Sequence, residues 1–306
     1  MSYTPDNLIF MEINKSITPM EESDRYLNKY IDDLESNTFE VFENDVTKRS
    51  LNGYAFSLID ELTNSTTCQN QDRALQTKSL HYFKILAKAF YHLAYSAGTE
   101  KTVQFRDKPV QHMGVAYKSN MGFADWLNTY SIFRVLRDQA GLNVLEGITD
   151  SAMDRADAGW TVLHKNMLHF LCSLHTNPKT REKLLIDAIK STYADSGDYL
   201  QEGFAIEFVT YLYEPLLFVY EALLRNNEED FNAQLIEALT RHKTYYDTQK
   251  NNRCNDSDGW ISWRLLGAVA LAYDNGIKIN VKSDYIPEWL YKGEFDTATL
   301  PKYMVS

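Results

Sequence analysis

The sequence predicts a predominantly all-α protein, a multi-helix bundle or array of antiparallel helix pairs with one small β-hairpin appendage. Three observations point there. Apolar residues recur at three- and four-residue steps along most of the 306 residues, the period of helices that bury one face. Seven prolines and thirteen glycines fall mainly between those stretches and mark short joints. Only one segment pairs two runs of β-branched and aromatic residues. No internal repeat, Gly/Ser linker or low-complexity tract divides the chain. The expected organisation is therefore one helical domain over 1–306, with an acidic segment, 1–46, packed on it and a hairpin insertion at 102–118.

In chain order, the first helix is expected over Glu21–Asn37 and the second over Thr47–Thr63, closed by the polar run Asn64–Asp72. A long third helix, Asp72–Ala97, carries Leu80, Phe83, Ala87, Phe90, Tyr91 and Ala94 as one stripe, with Gly98 as its stop. Thr102–Lys118 reads as the hairpin, with Pro109 in its turn. Helices follow over Phe123–Ala140 with a break near Gly141, over Ser151–His175, and over Thr180–Ala194. Tyr199–Arg225 is the most apolar stretch and reads as a buried helix that Pro215 should kink. Glu228–Gln249 is amphipathic, and Trp260–Tyr273 ends at Asn275-Gly276. The tail from Ile277, with Pro287 and Pro301, reads as irregular.

Composition narrows the function. Apolar residues make up 44% and charged residues 24%, as in ordinary globular proteins. No apolar run is long enough to cross a bilayer, and the first residues lack the pattern of a secretory signal. Cys68, Cys172 and Cys254 are too scattered for a disulfide framework. Together these favour the cytoplasm. The net charge of −11 repels nucleic acid and attracts a basic protein, although on composition alone such acidity is better read as maintaining solubility. That charge is concentrated. Between Glu21 and Asp45 nine acids (Glu21, Glu22, Asp24, Asp32, Asp33, Glu35, Glu40, Glu43 and Asp45) face only Arg25 and Lys29.

Motifs for catalysis are scarce. There is no phosphate loop, nucleophile elbow, His-Glu-x-x-His or Cys-x-x-Cys pair. His169, Cys172 and His175 share a helix, but the outer pair is turned apart, which suits packing better than a metal. His81 and His92 read as structural. Asp32-Asp33-Leu34-Glu35 resembles an acidic magnesium motif but lacks the second motif such a site needs. Glu207, Glu214 and Glu221 repeat every seven residues and read as a helix edge paired with Arg or Lys. No cofactor and no metal is expected. Tyrosines beside acids, as in Tyr245-Tyr246-Asp247 and Asp256-Ser257-Asp258-Gly259-Trp260, suit either a protein-binding surface or helix seams.

The C-terminal part carries a family resemblance. Its motifs, in order, are Glu214-Pro215-Leu216-Leu217, Glu221-Ala222-Leu223-Leu224 and Glu228-Glu229-Asp230-Phe231-Asn232. Then come Glu237-Ala238-Leu239-Thr240-Arg241-His242-Lys243-Thr244-Tyr245-Tyr246 and Gly267-Ala268-Val269-Ala270-Leu271-Ala272-Tyr273-Asp274-Asn275-Gly276, and finally Ser283-Asp284-Tyr285-Ile286-Pro287. Trp126 and Phe133-Arg134-Val135-Leu136-Arg137-Asp138 agree in the middle, although a small residue is expected before the Arg-Asp pair. Over roughly 50–290 the chain resembles the bacterial immunity protein 49 family.

That resemblance implies a non-catalytic antitoxin that binds a cognate toxin domain and blocks its active site or substrate entry. Such toxins include nucleases delivered between bacteria by contact-dependent or type VI secretion. The acids between Glu21 and Asp45, together with Asp256, Asp258 and Trp260, are the candidate toxin contacts. Trp126, Arg134, Arg137, Asp138, His242, Asp274, Gly276 and Pro287 are candidate structural residues. Two other readings are a helical scaffold or adaptor and, more remotely, a helical metal-dependent enzyme using the carboxylates above.

Overall fold

The computed structural model describes residues 10–11, 23–48, 51–67, 72–176, 179–193, 195–196 and 206–305. Among these the protein is predominantly all-α, with one antiparallel hairpin and a two-residue parallel pairing. No described helix is long and apolar enough to cross a membrane. Backbone contacts divide the chain into two compact units, one from residues 18–159 and 293–306, the other from residues 1–17 and 160–292.

The first unit opens with α1 (Ser23–Asp33), which runs through a wide π-helical turn, Leu34–Thr38, into α2 (Phe39–Asn44). The expected single helix thus widens after Asp33. This turn holds Leu34 fully buried while leaving Glu35 and Ser36 outside. α3 (Leu51–Thr67) and α4 (Arg73–Ala94) form the central pair. Asp72 caps α4 by accepting from the Leu75 N–H, so it precedes the helix rather than beginning it. Gln76 on α4 donates to Ser65 on α3 at 3.0 Å, satisfying two buried polar groups at once.

The hairpin pairs β1 (Glu100–Gln104) with β2 (Pro109–Met113). Pro109 therefore starts the second strand instead of sitting in the turn, at a ladder end where its missing N–H costs little. Its aromatic anchor is Phe105, which stacks on Phe42 at 5.8 Å.

α5 (Phe123–Val135) and α6 (Gln139–Glu146) are separated at Arg137, not at Gly141. Arg137 adopts φ +56, and the Asp138 and Arg137 N–H groups bond back to the Phe133 and Arg134 carbonyls. That is the backbone pattern that usually ends a helix on glycine. Gly141 lies inside α6, where an added Cβ would meet the Phe133 ring at 2.7 Å. α7 (Asp150–Arg155), capped by Thr149, follows.

Residues after Gly293 return to this unit. The final turn of helix, Lys302–Val305, places the Met304 carbonyl against His81 (2.6 Å) and the Lys84 ammonium (2.7 Å).

The second unit contains α8 (Val162–Thr176) and α9 (Arg181–Ser191), which pack together. The expected helix over Ser151–His175 is therefore two helices. Thr161 and His164 restart it by exchanging backbone and side-chain hydrogen bonds at 3.2 Å, a capping box with histidine in the Glu position.

α10 (Ile206–Phe208), a π-helical turn (Val209–Tyr213) and α11 (Glu214–Leu224) form the apolar segment. Pro215 lacks an N–H and would collide with a carbonyl four residues back in a regular helix. The wide turn just before it, with the Glu214 N–H reaching Val209, is where the backbone accommodates that demand. α12 (Glu228–Tyr246) packs along α11, and Asn227 caps it. α13 (Trp263–Asp274) ends as expected, with Gly276 at φ +83. The tail is less irregular than expected, because Lys282–Ser283 pair with Phe10–Met11 and α14 (Glu288–Lys292) follows.

Candidate functional site

Two surfaces carry the charged residues singled out above, one on each unit. On the first unit, Glu21 and Glu22 lie outside the described residues, and so does the side chain of Asp24. Asp32, Asp33 and Glu40 are exposed, and Glu43 is half-buried. None of these four makes an ion pair among the described residues.

Glu35 and Asp45 differ from them. Glu35 contacts Lys78 at 2.6 Å and accepts from the Tyr82 hydroxyl at 2.7 Å. Burial pushes its carboxyl up, but those two hydrogen bonds and the Lys78 charge outweigh it, and its pKa sits below the usual value. Asp45 accepts from the Thr47 N–H and hydroxyl, a local turn contact.

Beside this acidic face runs a groove of about 820 Å³ between α1 and α3. Tyr26, Tyr30 and Asp33 of α1 fall at one helical face, as do Tyr54, Ser57 and Glu61 of α3. Tyr54 is fixed by an edge-on contact with the buried Phe42 ring at 5.9 Å. One carboxylate oxygen of Glu61 is buried without a hydrogen-bond partner. Loss of solvent around Glu61 raises its pKa, with Asn64 opposing and Asp60 adding to the shift. Sequence reading missed this groove. The signal was there as two polar-aromatic helix faces, but nothing in the sequence pairs α1 with α3.

On the second unit, Asp256 accepts from the Asp258 N–H and caps a short 3-10 turn, Ser257–Gly259. The Asp258 carboxylate holds the guanidinium of Arg264 at 2.8 Å. Burial alone would lower the Arg264 pKa. Asp258, with the Tyr246 and Tyr213 hydroxyls, more than offsets it and keeps the group charged. Trp260 is half-buried, its indole N–H on the Cys254 carbonyl. Gly259 presses on Tyr246, where an added Cβ would come within 2.6 Å of the ring. Tyr245 and Tyr246 are buried and fill a helix seam. Arg253 lies 3.8 Å over the Tyr245 ring and pairs with Glu207.

Of the other singled-out residues, Arg137, Asp274 and Gly276 are exposed and the rest are buried or half-buried. Trp126 is fully buried, donates to the Leu145 carbonyl and stacks on Tyr130 at 5.3 Å. Arg134 donates to the Tyr130 hydroxyl, Arg137 to the Val135 carbonyl, and Asp138 meets Lys88 at 3.3 Å. His242 is buried against the Gly259 carbonyl. Asp274 is the last residue of α13, and Pro287 directly precedes α14.

The carboxylate row on α10 and α11 is engaged throughout: Glu207 with Lys250 and Arg253, Glu214 with Arg241, Glu221 with Arg225. Among the described residues, no three His, Cys, Asp or Glu side chains gather as a metal site.

Comparison with known proteins adds one decisive observation. The sequence model of Immunity protein 49 matches residues 60–290, three quarters of the chain. The chain belongs to the immunity protein 49 family. No curated protein and no solved structure matches it. In this member of the immunity protein 49 family, the matched stretch takes in the Asp256–Trp260 loop, Arg264 and the Arg137-Asp138 helix end. The acidic run up to Asp45 lies outside it.

Proposed function

We propose that this chain is an immunity protein that binds a cognate toxin domain in the cytoplasm and neutralises it by covering its active site or substrate entry. It works as a stoichiometric inhibitor and catalyses nothing itself. Membership of the immunity protein 49 family carries this reading. The exposed, unpaired Asp32, Asp33 and Glu40 add a predominantly acidic docking surface, shared with Arg25 and Lys29, suited to a basic, nucleic-acid-directed toxin. Acids on such a face take the place of the toxin's phosphate substrate. Asp256 and Trp260 are secondary contacts, whereas Asp258 and Glu35 act mainly within the fold.

The test is to express the open reading frames beside this gene and titrate any toxin domain they encode with this protein, repeated over a range of salt. Tight binding that weakens by about tenfold or more between 50 and 300 mM salt is the expected result. Affinity indifferent to salt would remove the electrostatic docking, and no binding at all would remove the immunity reading.

A further inference from the structure

We infer that the groove between α1 and α3 receives an arginine side chain of the partner protein, stacked on its tyrosines and paired with the Glu61 carboxylate. The partner is taken to be the toxin, so the identification of the donor rests on the immunity reading.

Three observations converge on this occupant. First, tyrosines from both helices line the groove, Tyr26 and Tyr30 from α1 and Tyr54 from α3. A planar guanidinium stacks on such faces with both cation–π and dispersion attraction, and a compact ammonium does so less well. Second, Glu61 lines the groove and leaves one buried oxygen without a donor. The partly desolvated Glu61 carboxylate gains from a charge-assisted hydrogen bond made on its groove side. Third, the charge is complementary. Asp33 lies in the same groove, with Asp32 in the adjoining pocket and Asp60 next to Glu61 in sequence, against Lys29 on the lining and Arg25 beside it.

The geometry is also partly prepared. Phe42, itself stacked on Phe105, holds Tyr54 edge-on, so an incoming side chain meets a wall that is already ordered. The volume of about 820 Å³ exceeds one side chain, so residues flanking the arginine fit as well.

The test has two arms. In the first, the full chain with labelled tyrosines is titrated with acetyl-Gly-Arg-Gly-amide and with the citrulline analogue, which keeps the shape and loses the charge. Saturable shifts at Tyr26, Tyr30 and Tyr54 with the arginine peptide alone are expected, and Glu61→Gln should abolish them. In the second, the neighbouring toxin domain is titrated against wild type, Glu61→Gln and Glu229→Gln. Glu229 is an exposed acid of the second unit, so its variant controls for net charge. Glu61→Gln is expected to weaken toxin binding by about tenfold, and Glu229→Gln by less than twofold. Equal losses from the two variants would overturn the groove. Toxin binding unchanged in Glu61→Gln would overturn it too, while the immunity reading stands. Equal response to both peptides, or a concentration-dependent dimer broken by Tyr54→Ala, would likewise overturn it, the dimer giving the groove to a second copy. Failure of wild type to bind the toxin, with the peptide arm intact, would remove the toxin as donor and leave the arginine site standing.

Discussion

Buried on α12, His242 has one ring nitrogen 3.3 Å from the Gly259 carbonyl, and desolvation holds its pKa down to about 4. The unfolded chain accepts this proton near pH 6.5, the folded chain only near pH 4. The stability this residue contributes is therefore complete above pH 6.5 and is lost as pH falls toward 4, by roughly 3 kcal/mol. His81 and His92 shift in the same direction. Urea midpoints at pH 7 and pH 4.5 should diverge in wild type and draw together in His242→Gln.

Arg264 makes a second demand. Its side chain is only 9% exposed, and Asp258 is its carboxylate partner. Asp258→Asn should cost about 2 kcal/mol, less than for a fully buried pair because Asp258 is itself 35% exposed. A urea titration of that variant showing no loss would return Asp258 to the partner-facing set. At this scale the sequence located acids but not their engagements. Glu35 stood in a run of like charge, and its partners Lys78 and Tyr82 come from a helix that only the tertiary fold brings near.

Elements were legible wherever apolar period and caps agreed. α4, α12 and α13 lie within a few residues of expectation because Asp72, Asn227 and Gly276 are stop and start signals with a local mechanism. Asn227→Ala should therefore destabilise the protein by about 1 kcal/mol, and Asn227→Gly by only a few tenths, in denaturant titrations. Boundaries failed where the mechanism was not local. Arg137 ends α5 in a conformation that favours glycine, and its guanidinium bonds to the Val135 carbonyl. Gly141, which looked like the break, is small because Phe133 leaves no room for a side chain. The π-helical turns after Asp33 and before Glu214 were invisible, since a one-residue widening leaves the apolar pattern nearly unchanged.

Across the whole molecule, the all-α class followed from periodicity, whereas the division into two discontinuous units did not. No composition shift marks Gly159 or Gly293, and among the described residues both units are mainly helical. The residues closing the first unit follow residues 160–292 of the second in the chain. Met304 is fully buried there, and its carbonyl accepts from the Lys84 ammonium and lies 2.6 Å from His81 Nδ1. A chain truncated after Lys292 should lose roughly 2–4 kcal/mol from that unit, since it strips a buried side chain and strands two buried polar groups. Calorimetry or urea unfolding of the truncated and full chains measures this directly. The acidic run and its groove remain formally present in such a chain, so a loss of toxin binding on truncation would report on the folding of α3 and α4.

That late closure has a consequence for synthesis. Residues 18–159 leave the ribosome early, yet their core waits for residues 293–305, with the second unit made in between. A nascent chain arrested before Pro301 carries an α4 whose His81 and Lys84 lack the Met304 carbonyl, and it should be cut there by protease more readily than the 306-residue chain. In this order of synthesis the first unit is begun before the second and closed after it.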